Sequence, residues 1–138
     1  MADEILTARR SIPAVIELIQ EKTQDKITAI HPLQNDRHFL FITDKGMKFY
    51  MVFKREFFMS FGKIFNMKGI GESLNEEIVH YAVEKGIHNF LFVYEDGKIY
   101  TIPAKEFKDY AISHKTIRTT SSGEGTMSIP VGLLSRWK

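Results

Sequence analysis

Residues 44–56, DKGMKFYMVFKRE, contain an acid, a lysine and a second acid, a combination suited to metal-dependent phosphodiester chemistry. Side chains alternate between the two faces of a strand, so Lys54 and Glu56 share one face. Asp44 precedes the strand across the short turn Asp44-Lys45-Gly46, and we expect it to lie on a neighbouring strand near that face. We therefore predict that one face of this strand is core and that the other carries a site.

Alternation assigns every residue of the strand to one of these two faces. The core face is predicted to contain Met47, Phe49, Met51 and Phe53. The site face is predicted to contain Lys48, Tyr50, Val52, Lys54 and, if the strand continues, Glu56. One strand and the turn before it would thus position all three chemical groups.

Two further strands are predicted beside this segment, because the runs 27–31 and 37–43 are rich in aromatic and β-branched residues. The sequences PLQND and DKG between the runs favour turns, so the three strands at 27–31, 37–43 and 47–55 should form an antiparallel meander. Residues 89–94 and 98–102 are predicted to pair as a hairpin, since the Asp-Gly pair between them is typical of a tight turn.

Helices are predicted to begin near residues 13, 103 and 130, where a Ser/Thr-Ile-Pro sequence recurs. Proline fits the first turn of a helix because its missing N–H has no partner there. Another helix is predicted after Ser73, because Ser73 and Glu76 have the spacing of a capping box. Its buried stripe is expected to include Ile78, Tyr81 and Ala82.

Composition favours one domain spanning residues 1–138. The chain is 43% hydrophobic over 138 residues, enough for a core of that size. A formal net charge of +2 restricts any nucleic-acid surface to a local patch. The absence of cysteine excludes thiolate catalysis and cysteine-bound metal clusters. No stretch has the length and apolar character of a membrane span, so we expect a soluble, cytoplasmic protein without a membrane partner.

Aromatic residues are concentrated in residues 57–71, FFMSFGKIFNMKGIG. This stretch is either a packed loop or short helix, or else a dimer contact or a lid, since exposed apolar patches usually mark interaction sites. We predict a homodimer in which the phenylalanines of the stretch are partly buried between two copies. These residues are Phe57, Phe58, Phe61 and Phe65.

Basic residues suited to a phosphate backbone are spread along the chain. The candidates are Lys48, Arg55, Lys63, Lys115, Arg118 and Arg136. The alternative for those in the tail is a solvated loop with ordinary surface cations. On the first helix, Glu17 is either part of a solvated edge or an additional metal ligand that faces the polar end of the sheet.

The order helix, three-strand meander, helix, strand over residues 13–102 resembles the core of the PD-(D/E)XK, or restriction-endonuclease-like, nuclease superfamily. Residues 103–138 would then be an appended extension of strands and helix. The resemblance implies an αβββαβ core with a mixed sheet. It also implies Mg²⁺ or Mn²⁺ held by an acid on the second strand and by an E-x-K sequence on the third, where the metal and lysine act on the scissile phosphate.

Two residues correspond to this pattern, and a third is a substitute for the missing acid. Asp44 matches the first acid and Lys54 matches the lysine, whereas the glutamate position two residues before Lys54 is occupied by Val52. Glu56, two residues after the lysine, is the substitute acid. The resemblance therefore implies Asp44, Lys54 and Glu56 as catalytic residues, with Asp44, Glu56 and Glu17 as metal ligands.

Three hypotheses of function remain open at this point. The first is a metal-dependent nuclease, and the second is a non-catalytic dimer on the same fold that binds nucleic acid or protein. The third is an α/β protein that binds a small molecule. The five histidines have no metal-binding spacing, and the sequences GxSxG and the P-loop are absent.

Overall fold

A computed structural model describes residues 2–33, 38–54, 71–95, 97–119 and 125–137. These residues form a mixed α/β structure. Its helices are α1 (Ala2–Thr23), α2 (Glu76–Glu84) and α3 (Ala104–Ser113). Its strands are β1 (Ile27–Leu33), β2 (His38–Thr43), β3 (Lys48–Lys54), β4 (Gly71–Asn75), β5 (Asn89–Tyr94), β6 (Ile99–Pro103), β7 (Arg118–Thr119), β8 (Gly125–Pro130) and β9 (Ser135–Trp137).

Two sheets are present in the described part of the chain. The larger has six strands in the order β1-β2-β3-β5-β6-β9. Its neighbouring strands are antiparallel except for β3 and β5, which are parallel. The smaller sheet has the order β4-β8-β7 and is antiparallel. The mixed sheet and its three-strand meander confirm the coarse architecture predicted from the sequence.

Strand β3 buries both of its faces, which corrects the prediction of a polar face. Phe49, Met51 and Phe53 pack with residues of α1, as expected for the core face. On the other face, Tyr50 and Val52 are 1% and 2% exposed and belong to a second core beneath α2, α3 and the small sheet. The strand is central in a two-sided sheet, and such strands are apolar on both faces.

Two of the three proline-based helix starts need correction. Helix α1 begins at Ala2 and runs through Pro13, an exposed residue that removes one backbone donor without ending the helix. The prediction for residue 103 is confirmed, because Pro103 immediately precedes α3. After Pro130 only a 3₁₀ turn forms, Val131–Leu133, and the predicted closing helix is instead strand β9.

The prediction of a capping box at Ser73 and Glu76 is also wrong. Ser73 lies in β4, and Asn75 caps α2 by accepting a hydrogen bond from the backbone N–H of Glu77 at 2.7 Å. The helix starts later than predicted because β4 pairs with β8 up to Asn75. Its buried side is formed by Val79 and Ala82, whereas Tyr81 is 39% exposed.

The predicted hairpin is confirmed as β5 and β6, with Phe92 opposite Tyr100. Gly97 has φ +93°, the left-handed conformation that this turn requires and that glycine adopts at low cost. The predicted dimer segment, 57–65, lies outside the described residues. Among the residues described, no helix combines the length and the apolar character needed to cross a membrane.

Candidate functional site

Asp44 lies in the turn between β2 and β3 and serves the geometry of that turn. Its backbone N–H donates to the Lys26 carbonyl at 2.8 Å, and its Oδ1 accepts from the Lys26 N–H at 3.4 Å. Thr43, just before it, is buried and its Oγ1 accepts from the Met47 N–H at 3.0 Å. We call this part of the sheet, where β2 ends and β3 begins, the Asp44 end.

Lys54 is the last residue of β3 and lies opposite Tyr94, the last residue of β5. We call this part of the sheet the Tyr94 end. Strand β3 has seven residues, which at about 3.3 Å per residue gives about 20 Å between its ends. That separation exceeds the reach of the two side chains, so the structure does not bring Asp44 and Lys54 together. Glu56 lies outside the described residues.

Two of the three predicted metal ligands, Asp44 and Glu17, lie in the described part of the chain. Glu17 is exposed on α1, the helix that packs against the Phe49 face of β3. Across the described ranges, no three His, Cys, Asp or Glu side chains are grouped to hold a metal ion. Mg²⁺ and Mn²⁺ need several oxygen ligands at one point. Asp44 and Glu17 would be two such ligands, and the third predicted ligand, Glu56, lies outside the described residues.

The predicted phosphate-binding residues occupy different parts of the molecule. Lys48 begins β3 at the Asp44 end, and its Nζ donates to the Lys85 carbonyl at 3.2 Å. Lys115 is exposed after α3, and Arg118 lies on β7. Arg136 is exposed on β9, at the edge of the large sheet. The other two candidates, Arg55 and Lys63, are outside the described residues.

A row of cross-strand neighbours connects five strands of the large sheet. Its members, in order from β2 to β9, are His38, Val52, Phe92, Tyr100 and Arg136. The middle of the row is buried, whereas His38 and Tyr100 are half-buried and Arg136 is exposed. Four strand spacings of about 4.8 Å separate the polar ends of the row by about 19 Å.

Tyr94, Tyr100 and Arg136 form a cluster at the β9 side of this row, which we call the aromatic–arginine cluster. The Tyr94 and Tyr100 rings are edge to face, with centroids 5.7 Å apart and planes at 86°. The guanidinium carbon of Arg136 lies 5.7 Å from the centroid of the Tyr100 ring, within cation–π range. Exposure increases from Tyr94, which is buried, through Tyr100 to Arg136. The cluster thus presents a positioned cation at the sheet edge.

At the other side of the row, the Tyr50 hydroxyl is 2.7 Å from His38 Nδ1, and the two rings meet edge to face. Burial, together with the nearby Tyr81 hydroxyl, raises the pKa of Tyr50 well above its ordinary value. Tyr50 is therefore a neutral hydroxyl over the whole physiological range. Its place is structural, between the core and the half-buried histidine.

Sequence reasoning identified Arg136 but not its partner Tyr100. The two residues are far apart along the chain and meet only because β9 pairs with β6. That pairing was not predicted, because a closing helix was expected to begin near residue 130. Ser135, Arg136 and Trp137 show no alternation of polar and apolar residues, so the local sequence carried no signal for a strand.

The chain was compared with family models, curated proteins and solved structures, and it matches none of them.

Proposed function

We propose that this protein is a nucleic-acid-binding module that uses the aromatic–arginine cluster. The observation that carries the proposal is Arg136, exposed on an edge strand and lying 5.7 Å from the Tyr100 ring. Arginine donates to phosphate oxygens and stacks on planar rings, so it suits both parts of a nucleotide. An arginine already positioned by a tyrosine loses less conformational freedom on binding.

The architecture supports the same class of function. The described order of α1, the meander β1–β3, α2 and β5 resembles the restriction-endonuclease-like core, with β4 added before α2. In open α/β sheets, ligands bind at the carboxyl ends of parallel strands where the chain order changes. Strands β3 and β5 are parallel and end together at Lys54 and Tyr94. The cluster lies beside that point.

The proposal is for binding without hydrolysis by Asp44, Lys54 and Glu56. Asp44 precedes β3 and Lys54 ends it, and the strand between them is about 20 Å long. The Asp44 carboxylate accepts a hydrogen bond from the backbone N–H of Lys26. The metal-dependent nuclease is therefore the alternative that the experiment below must also address.

Fluorescence anisotropy with labelled single-stranded, duplex and branched DNA and with RNA tests the proposal. We expect salt-dependent binding, because phosphate contacts release counterions. Arg136→Ala should weaken it by several-fold. The matched control is Lys26→Ala, which removes an exposed cation from the Asp44 end and should leave affinity unchanged. Absence of binding to every probe at low salt would refute the proposal.

The same probes, incubated with Mg²⁺ or Mn²⁺, test the alternative. We expect intact substrates after incubation. Cleavage that is lost in folded Asp44→Asn, Lys54→Ala and Glu56→Gln variants would instead establish the nuclease hypothesis and require the two ends of β3 to act together.

A further inference from the structure

We infer that the Tyr100–Arg136 pair is a stacking platform for an unpaired base, so the protein prefers single-stranded nucleic acid to duplex. This inference rests on the proposed function and specifies its ligand. Bases of a single strand are accessible for stacking on aromatic rings and guanidinium planes, whereas those of a duplex are already stacked on each other.

The edge position of β9 is the first reason to assign base stacking to this pair. Strand β9 has three residues and pairs with β6 on one side, and the order of the described sheet ends with it. Alternation places Arg136 and Trp137 on opposite faces of this strand. Trp137 packs into the core beside Phe49, with centroids 5.6 Å apart. The tryptophan therefore fixes the strand while Arg136 remains exposed to a ligand.

The orientation of Tyr100 is the second reason. Its ring is held edge to face by Tyr94, which is 2% exposed and belongs to the core. An aromatic ring fixed by the core and covered by a cation is a rigid surface. Its side chains lose little conformational entropy when a base stacks on them. The pair therefore resembles the ring-and-arginine stacks that bind unpaired bases.

The charges beside the pair do not select between a base and a phosphate as the contacting group. The β5–β6 turn carries exposed Glu95 as well as half-buried Lys98. These two opposite charges offset each other, so Arg136 is the cation at this pair that a phosphate can contact. Stacking of a neutral base does not depend on these charges. Stacking is therefore the contact by which this surface discriminates best between ligands.

Arg136→Lys separates stacking from charge, because lysine keeps the cation and lacks the planar group. The probes are oligothymidine, oligouridine and a mixed-sequence DNA duplex, each of about 16 nucleotides. We expect wild-type protein to bind both single strands more tightly than the duplex. Arg136→Lys and Tyr100→Leu should each weaken single-strand binding about tenfold, the range for one lost base stack. Duplex affinity should not change in Arg136→Lys.

Trp137 provides the folding control, since it is the single tryptophan of the chain and packs beside Phe49. An unchanged emission maximum in each variant shows that β9 is still docked. Equal affinity for single strand and duplex, or an Arg136→Lys variant that binds single strands like wild type, would overturn the inference. In that case, salt-dependent binding that Arg136→Ala weakens would still support the proposed function. Failure of every probe to bind overturns both.

Discussion

The two ends of the large sheet use their polar residues differently. At the Asp44 end, Thr43 and Asp44 accept hydrogen bonds from the backbone of Met47 and Lys26, so they close the turns that start β1 and β3. At the Tyr94 end, Arg136 lies over a side chain and is exposed. Turn geometry thus explains the presence of Asp44 before the apolar strand β3. The fold does not require a cation at Arg136, on the short edge strand β9.

The largest effect is expected from Thr43→Val, which tests the structural role of the Asp44 end. The substitution keeps the shape of a buried side chain but leaves the Met47 N–H without its 3.0 Å acceptor. The free energy of unfolding should fall by about 2 kcal/mol, within the range for a partly buried donor that loses its acceptor. Urea denaturation measures it. Thr28→Val is the matched control, because Thr28 is exposed and should change stability by less than about 0.5 kcal/mol.

A smaller effect is expected from Tyr50→Phe, on the side of the row that ends at His38. Loss of the 2.7 Å contact with His38 should reduce stability by about 1 kcal/mol near neutral pH. At high pH the sign of this stability difference reverses, and Tyr50→Phe becomes the more stable protein. Because burial raises the pKa of Tyr50 in the folded state, the unfolded chain releases this proton first, from about pH 10.

Above that pH the unfolded state binds fewer protons than the folded state, so stability falls by up to about 1.4 kcal/mol per pH unit. The Phe variant lacks this contribution. Urea midpoints between about pH 9 and 12 should therefore fall more steeply for wild type than for Tyr50→Phe. Parallel curves would show that Tyr50 ionises equally easily in both states.

The smallest effect is expected from Asp44→Ala. Its side-chain hydrogen bond to Lys26 is long, at 3.4 Å, and exposed, so the free energy of unfolding should change by about 0.5 kcal/mol or less. Nucleic-acid affinity should also remain unchanged, because Asp44 lies at the opposite end of β3 from the aromatic–arginine cluster. A large gain in affinity would instead place a phosphate beside Asp44. The Asp44 end, and not the Tyr94 end, would then be the binding end of the sheet.

Local patterns predicted the parts of the fold whose partners are close in sequence. The meander and the β5–β6 hairpin follow from alternation and from the Asp-Gly turn. The same rules failed where a distant strand decides the structure. Pairing with β8 keeps Ser73 in β4, and pairing with β6 makes residues 135–137 a strand despite the preceding Ile-Pro sequence. Tertiary pairing overrides local propensity in both places.

The candidate site was harder to predict for the same reason. Arg136 was recognisable as a cation, but only the register between β6 and β9 places it over Tyr100. The prediction of a polar face on β3 assumed that helices cover only one side of the sheet. Helices α2 and α3 cover the other side as well, and they bury Tyr50 and Val52 there.

The parallel pairing of β3 with β5 also has a kinetic consequence. The meander of residues 27–54 and the hairpin of residues 89–103 each contain mostly local contacts, which form quickly. Joining them requires closure of the long connection between Lys54 and Asn89 before any β3–β5 hydrogen bond can form. We therefore expect the two units to form first and their association to limit the folding rate. Substitutions at the β3–β5 seam should then slow folding more than substitutions within either unit.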